Sequence, residues 1–261
     1  MPAERERFWL YEAAGSAMGE AFGWGAFAAS AVMIGAVIAL VWNVPRSAVG
    51  AIMAFGSGVL ISAVANELVT EEFVGDGSIA LGLLTGALTF YLGDNVIERM
   101  GGEHRKNMEG APSHGEEDGS PLAIVLGTVL DGIPESIVLG VSLIGGGGVS
   151  AAVVAAVFIS NLPEGLASTS GLVKDGWSRR RVLVLWGTVT LACAIASALG
   201  FVLLDDASDS MIGFVQAFAG GALLTMLADT MMPDALRYSG EQAGLYTTFG
   251  FAVAFWISAL E

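Results

Sequence analysis

Two Pro-Glu dipeptides lie deep inside consecutive apolar stretches, each preceded by oxygen-bearing side chains: Leu130-Asp131-Gly132-Ile133-Pro134-Glu135-Ser136 and Ile159-Ser160-Asn161-Leu162-Pro163-Glu164-Gly165. On a helix Asp131 and Glu135 stand one above the other, about 6 Å apart along the axis, because residues four apart share a face. Ser160 and Asn161 share a face with Glu164 in the same way. Each proline removes an N–H and frees the carbonyl four residues earlier, so Pro134 and Pro163 are expected to break or loosen their helices and to offer the oxygens of Leu130 and Ile159. An ionisable group at the centre of a membrane helix costs roughly 2.5–3.5 kcal/mol, so two at matching places point to a transport or catalytic site. Carboxylates crowded in low dielectric must be protonated or share a cation, and an all-oxygen set suits protons or a divalent metal.

The elements that must position these residues are membrane spans. The 261-residue chain is 54% hydrophobic and 14% charged, where a soluble domain carries about 25% charged residues. Apolar runs of spanning length fall at roughly 22–42, 48–69, 78–97, 121–144, 149–172, 182–204, 210–232 and 243–260. The expected fold is therefore an all-α integral membrane protein of eight transmembrane helices, with a single transporter domain over 22–261. Residues 1–21, which mix Glu4, Arg5, Glu6, Arg7 and Glu12 with Phe8, Trp9 and Leu10, read as an interfacial segment rather than a cleaved signal peptide. The polar stretch 100–120, which contains Pro112 and is followed by Pro121, reads as a flexible cytoplasmic loop.

Basic residues set the orientation. Arg46, Arg99, Arg105, Lys106, Lys174, Arg179, Arg180, Arg181 and Arg237 all fall in loops on one side of such a topology, which places that side in the cytoplasm and both termini outside. The opposite loops carry Glu71, Glu72, Asp76, Asp205, Asp206 and Asp209, either as solvated charge or as a mouth that concentrates cations. A multi-pass protein of the plasma or inner membrane is expected, with the bilayer as partner and no nucleic acid. Trp24, Trp42, Trp177 and Trp256 fall near span ends and fit an aromatic belt.

The chain also resembles itself. Phe55-Gly56-Ser57-Gly58-Val59-Leu60 aligns with Phe218-Ala219-Gly220-Gly221-Ala222-Leu223, and continuing in register sets Asn66 against Asp229. These are the second and seventh spans, which the topology runs in opposite directions, as are the fourth and fifth that share the Pro-Glu motif. Both pairs imply a 3+2+3 inverted repeat, a plan in which transporters place the substrate site at midplane. Asn66, Glu67 and Asp229 are additional pathway or ligand candidates, with an interfacial position as the alternative for Glu67. Met226, Met231 and Met232 are read as packing. The histidines, His104 and His114, lie in the long loop, and Cys193 permits no intrachain disulfide.

At the two motifs the chain resembles the ZIP family of divalent-metal transporters. That family has eight helices, outward termini, a 3+2+3 inverted arrangement, and paired motifs of the form His-Asn-x-Pro-Glu-Gly and His-Glu-x-Pro-His-Glu on helices four and five. The resemblance implies a metal site of Asp131, Glu135, Ser160, Asn161 and Glu164. Asp131 stands at the first histidine position, Gly132 replaces the asparagine, and Ser160 and Asn161 occupy the next ligand positions. On helix seven, His-Glu-x-x-Pro becomes Asp229-Thr230-Met231-Met232-Pro233, and no acid occurs within 182–204, where the family often carries one. Without imidazole, oxygen donors favour harder ions than zinc, such as manganese, magnesium or calcium. The resemblance further implies alternating access by an elevator-like motion, a homodimer, and a metal ion as substrate with no resident cofactor.

The reading is thus a transporter moving divalent cations, zinc, iron, manganese or another, toward the cytoplasm. A non-transporting metal sensor with a decayed site and a proton-coupled transporter of another solute are the alternatives. An enzyme is not expected: there is no membrane histidine to serve a serine and no Gly-x-Gly-Asp segment, while Gly145–Gly148 lacks the Lys-Ser/Thr of a phosphate loop.

Overall fold

The computed structural model describes residues 2–68, 77–102, 108, 121–144 and 148–260, with side chains described outside 2–14, 67–68, 101–102 and 121–124. Among these residues the chain is helical almost throughout: α1 (Pro2–Val41), α2 (Arg46–Ala63), α3 (Gly77–Ile97), α4 (Pro121–Val141), α5 (Ala151–Lys174), α6 (Arg179–Leu204), α7 (Asp209–Met226), α8 (Met232–Ser239) and α9 (Ala243–Ser258). Serines open three of them, since Ser150, Ser178 and Ser208 accept the N–H groups of Val153, Arg181 and Met211 at 3.4, 3.3 and 3.4 Å. A hydroxyl there satisfies an N–H that the first helical turn leaves unpaired. Each apolar run read from the sequence holds a long helix. Six stretches of the described residues are long and apolar enough to cross a membrane, the last of them, Asp209–Ser258, containing α7, α8 and α9 together. The protein is an all-α integral membrane protein.

α1 is a single helix of 40 residues that continues from within 1–21 into the first span, about 60 Å long against a hydrocarbon layer of about 30 Å. One expectation needs correction. Arg237 lies not in a loop but in α8, a short helix that folds back against α2.

The helices pack as two groups. In one, α1 lies on α5 and α6, and α6 on α4; in the other, α3 lies on α7 and α2 on α9. The groups meet where α2 crosses α5 and α4 crosses α7. Polar ties pin the first group: the fully buried Trp186 donates its indole N–H to Thr169 Oγ1 at 2.8 Å, fixing α6 to α5, and Ser197 Oγ donates to the Ala21 carbonyl at 2.8 Å, fixing α6 to α1.

The self-similar segments have the same shape. α2 and α7 are both 18 residues long, and each runs directly into a five-residue π-helical turn, Val64–Leu68 after α2 and Leu227–Met231 after α7. The shift that superposes Phe55 on Phe218 also superposes both helix starts and both π turns. Their packing is reciprocal as well. Gly58 of α2 lies against the Thr247 carbonyl of α9 and Gly250 of α9 against that of Phe55, while Gly221 of α7 lies against Leu83 of α3 and Gly86 of α3 against Phe218. At each glycine a Cβ would overlap the facing carbonyl oxygen. Helices in lipid gain little from hydrophobicity, so such close backbone approach is a main source of their adhesion.

Gly58→Leu and Gly221→Leu should therefore destabilise the protein alike, by roughly 1–3 kcal/mol, through overpacking of a tight contact. Gly244→Ala, whose Cβ would meet no atom within 4 Å, should melt like the parent. Thermal melting of detergent-purified protein compares the three.

Candidate metal site

α4 supplies Asp131 and Glu135, and α5 supplies Ser160, Asn161 and Glu164, all of them buried, with Asp131 1% and Glu135 3% exposed. Glu135 is the meeting point. Its Oε1 accepts from Ser160 Oγ at 2.9 Å and its Oε2 from Asn161 Nδ2 at 3.0 Å. Both donors also bond the Val157 carbonyl, Ser160 at 2.9 Å and Asn161 at 2.8 Å, so they are held by their own helix as they reach across. Glu164 and Asp131 lie within electrostatic range of Glu135.

The helices are not broken at the prolines, contrary to expectation. α4 continues through Pro134 to Val141, and α5 through Pro163 to Lys174. A missing N–H need not end a helix whose flanks are held by packing on both sides. The Ile159 carbonyl that Pro163 deprives of its partner faces α2, where a Cβ on Gly56 would stand 3.4 Å from it. Irregular backbone occurs instead in the π turns after α2 and α7 and in a third, Glu98–Gly102, after α3, a distortion common at functional sites.

On its other side Glu135 meets apolar surface. A cavity of about 10 Å³ there is lined by Leu60, Val64, Val138, Val153 and Leu223 among others, with Glu135 its polar member. It has room for about one water and none for a hydrated ion. Leu60 and Leu223 are repeat counterparts, and their alignment in sequence was the signal that could have placed them beside the motif.

Gly132, where the family motif carries asparagine, is occupied from outside. A Cβ there would come 2.7 Å from Cys193 Sγ of α6, and Ser136 Oγ bonds the Gly132 carbonyl at 2.7 Å on the same face. Sequence reasoning gave Cys193 no role; it fills the space of the missing side chain.

The additional candidates are not gathered with Glu135. Asn66 is half-buried in the first π turn, its amide donating to the Ser62 carbonyl at 2.9 Å and to Ser62 Oγ at 3.2 Å. Asp229 holds the same place in the second π turn and is exposed. The side chain of Glu67, and His104, His114, Glu71, Glu72 and Asp76, lie outside the described residues. Met226 and Met231 are buried in the apolar core, as packing. Asp94 of α3 is buried.

Charge gives the site its character. Among the described residues the buried charged side chains are Asp94, Asp131, Glu135 and Glu164, and no Lys or Arg is buried. Buried acids without a buried base call for a proton or a cation. Among the same residues, no three His, Cys, Asp or Glu side chains are close enough to hold a metal. The assembled part of the site is one carboxylate with a hydroxyl and an amide. For these to ligate a cation, Asn161 must turn its oxygen rather than its NH2 toward the ion, and Ser160 must turn its proton away.

Helical membrane architecture and a buried acidic site define a class of membrane transport proteins. The family model described as ZIP zinc transporter matches residues 98–258, and the chain belongs to that family. It is also 28% identical over 185 residues to a protein of Arabidopsis thaliana named "Putative zinc transporter At3g08650", across 69% of this chain and 29% of that protein. The chain thus spans less than a third of the length of this relative.

Asn161→Leu would leave Glu135 Oε2 without its cross-helix donor, and a loss of about 1–3 kcal/mol is expected, read as a lower melting temperature. Gly132→Asn should misfold alone and be rescued by Cys193→Ala, which makes room for it; recovery of the folded yield in the double variant is the measurement.

Proposed function

We propose that the protein carries divalent metal cations across the membrane toward the cytoplasm by alternating access, with Asp131, Glu135, Ser160, Asn161 and Glu164 as the ligands met on the way. One observation carries this reading: the buried acids of α4 and α5 have no buried base among the described residues. In a membrane interior that imbalance is costly unless a cation offsets it. Membership of the ZIP zinc transporter family supports metal as that cation.

An eight-span 3+2+3 inverted repeat is the arrangement we favour, within one transmembrane domain over 22–261. The matched α2 and α7 with their π turns support it, as does packing in which Gly35 of α1 meets Leu162 of α5 much as Gly200 of α6 meets Ile137 of α4. In that arrangement Asn66 and Asp229 stand toward opposite faces of the membrane, one at each end of the route through Glu135. The distribution of basic residues supports both termini outside a plasma or inner membrane. Resemblance to the family supports a homodimer and an elevator-like step, in which the group of α1, α4, α5 and α6 slides past the other.

The oxygen donors favour a harder ion than zinc does on its own preferences. Uptake into proteoliposomes with a metal-sensitive dye tests both levels. Glu135→Ala and Glu164→Ala should each abolish uptake, and manganese should compete with zinc at comparable concentration. Full uptake by the double variant sinks the transport site. Zinc uptake indifferent to a hundredfold excess of manganese sinks the oxygen-ligand reading. Metal retention without flux would identify a sensor, and pH-driven flux without metal a proton-coupled transporter.

A further inference from the structure

A cavity of about 550 Å³ opens away from the metal site, beside the start of α6 where that helix passes α4. Its apolar floor is Val125 of α4 with Val184 and Leu185 of α6, and Trp177 closes one wall. Arg180 and Arg181 stand at the rim, and among the described residues no acid lines the cavity. Both arginines and Val184 are exposed. In a chain with 26 acids against 11 bases, such a basic rim over an apolar floor is a local inversion of the protein's charge.

We propose that this cavity binds an anionic glycerophospholipid, with its phosphate on Arg180 and Arg181 and an acyl chain along Val184, Leu185 and Val125. Val184 of the floor is exposed on a membrane helix, with Leu185 buried behind it, so hydrocarbon is the natural neighbour of the opening. Tryptophan marks the level of the interface, which puts the arginines at headgroup depth. Guanidinium forks match phosphate oxygens in pairs of hydrogen bonds. The volume lies within the range of small-molecule sites and holds a headgroup with the start of a chain.

The lining also says what is read. Thr188 Oγ1 already donates to the Val184 carbonyl at 2.9 Å, and Ser178 Oγ already caps the Arg181 N–H at 3.3 Å. Recognition therefore falls mainly on the two arginines, which sense net charge rather than the alcohol attached to the phosphate. A bound lipid would bridge α6 to α4, the helix that carries Asp131 and Glu135.

The full chain in neutral detergent is melted with phosphatidylglycerol, phosphatidylcholine or inorganic phosphate. Phosphatidylglycerol alone is expected to raise the melting temperature. Arg180→Gln with Arg181→Gln should weaken that response by about tenfold or more, from the loss of two interfacial cations, and leave any phosphatidylcholine response unchanged. Val184→Trp, which fills the floor but keeps both arginines, should weaken the phosphatidylglycerol response too and stands in if the arginine variant fails to purify. Equal responses to the two lipids, or retention of the preference in either variant, would overturn the proposal. Reproduction of the full shift by inorganic phosphate would show a soluble-anion site instead and equally overturn it.

Discussion

A carboxylate buried in low dielectric must have its oxygens met, and Glu135 draws both partners from one neighbouring helix, Ser160 at 2.9 Å and Asn161 at 3.0 Å. α4 and α5 otherwise touch little, since each rests mainly on α6 or α1. The bonds to Glu135 are thus both the core of the candidate site and a principal link between the motif helices. Any cation entering there must take over what the hydroxyl and amide now do, so occupancy of the site and the relation of α4 to α5 are tied to the same few atoms.

That clasp needs stiff surroundings, and close contacts between helices supply them. Glycines let α2 meet α9 and α3 meet α7 at backbone distance, and Trp186 with Thr169 fixes α6 to α5. The π turns Val64–Leu68 and Leu227–Met231 end the two helices that carry Leu60 and Leu223 beside Glu135, and Val64, Leu227 and Met231 are buried in the same core. The irregular backbone there is itself held by packing.

Much of this was legible in the residues. Hydropathy located the long helices because a spanning length of apolar side chains leaves few other solutions. The cost of a buried charge singled out Glu135 and Glu164, and the spacing of Ser160 and Asn161 put them on a common face. Self-similarity marked α2 and α7. Less legible was anything decided by neighbours distant in sequence. Pro134 and Pro163 predicted breaks, yet packing carries both helices through. Nothing local announces the π turns, the helix at Arg237, or the burial of Asp94, since each depends on which helix lies alongside. Asp229, credible by alignment, is exposed.

Gly132 and Cys193 show how a departure from a family motif is read differently once helices are assembled. In sequence, glycine in place of asparagine is a lost ligand, and a lone cysteine two helices later is unrelated. In the fold, the sulfur stands where the side chain would begin. The two positions are therefore coupled: a side chain at 132 must displace the thiol at 193 or meet a smaller residue there. Since the thiol occupies that space, the proposed ligand set is Asp131 and Glu135 on α4 with Ser160, Asn161 and Glu164 on α5. The selectivity of such a set follows from the hardness and charge of its oxygens and from how far α4 and α5 can close around the ion, rather than from imidazole geometry.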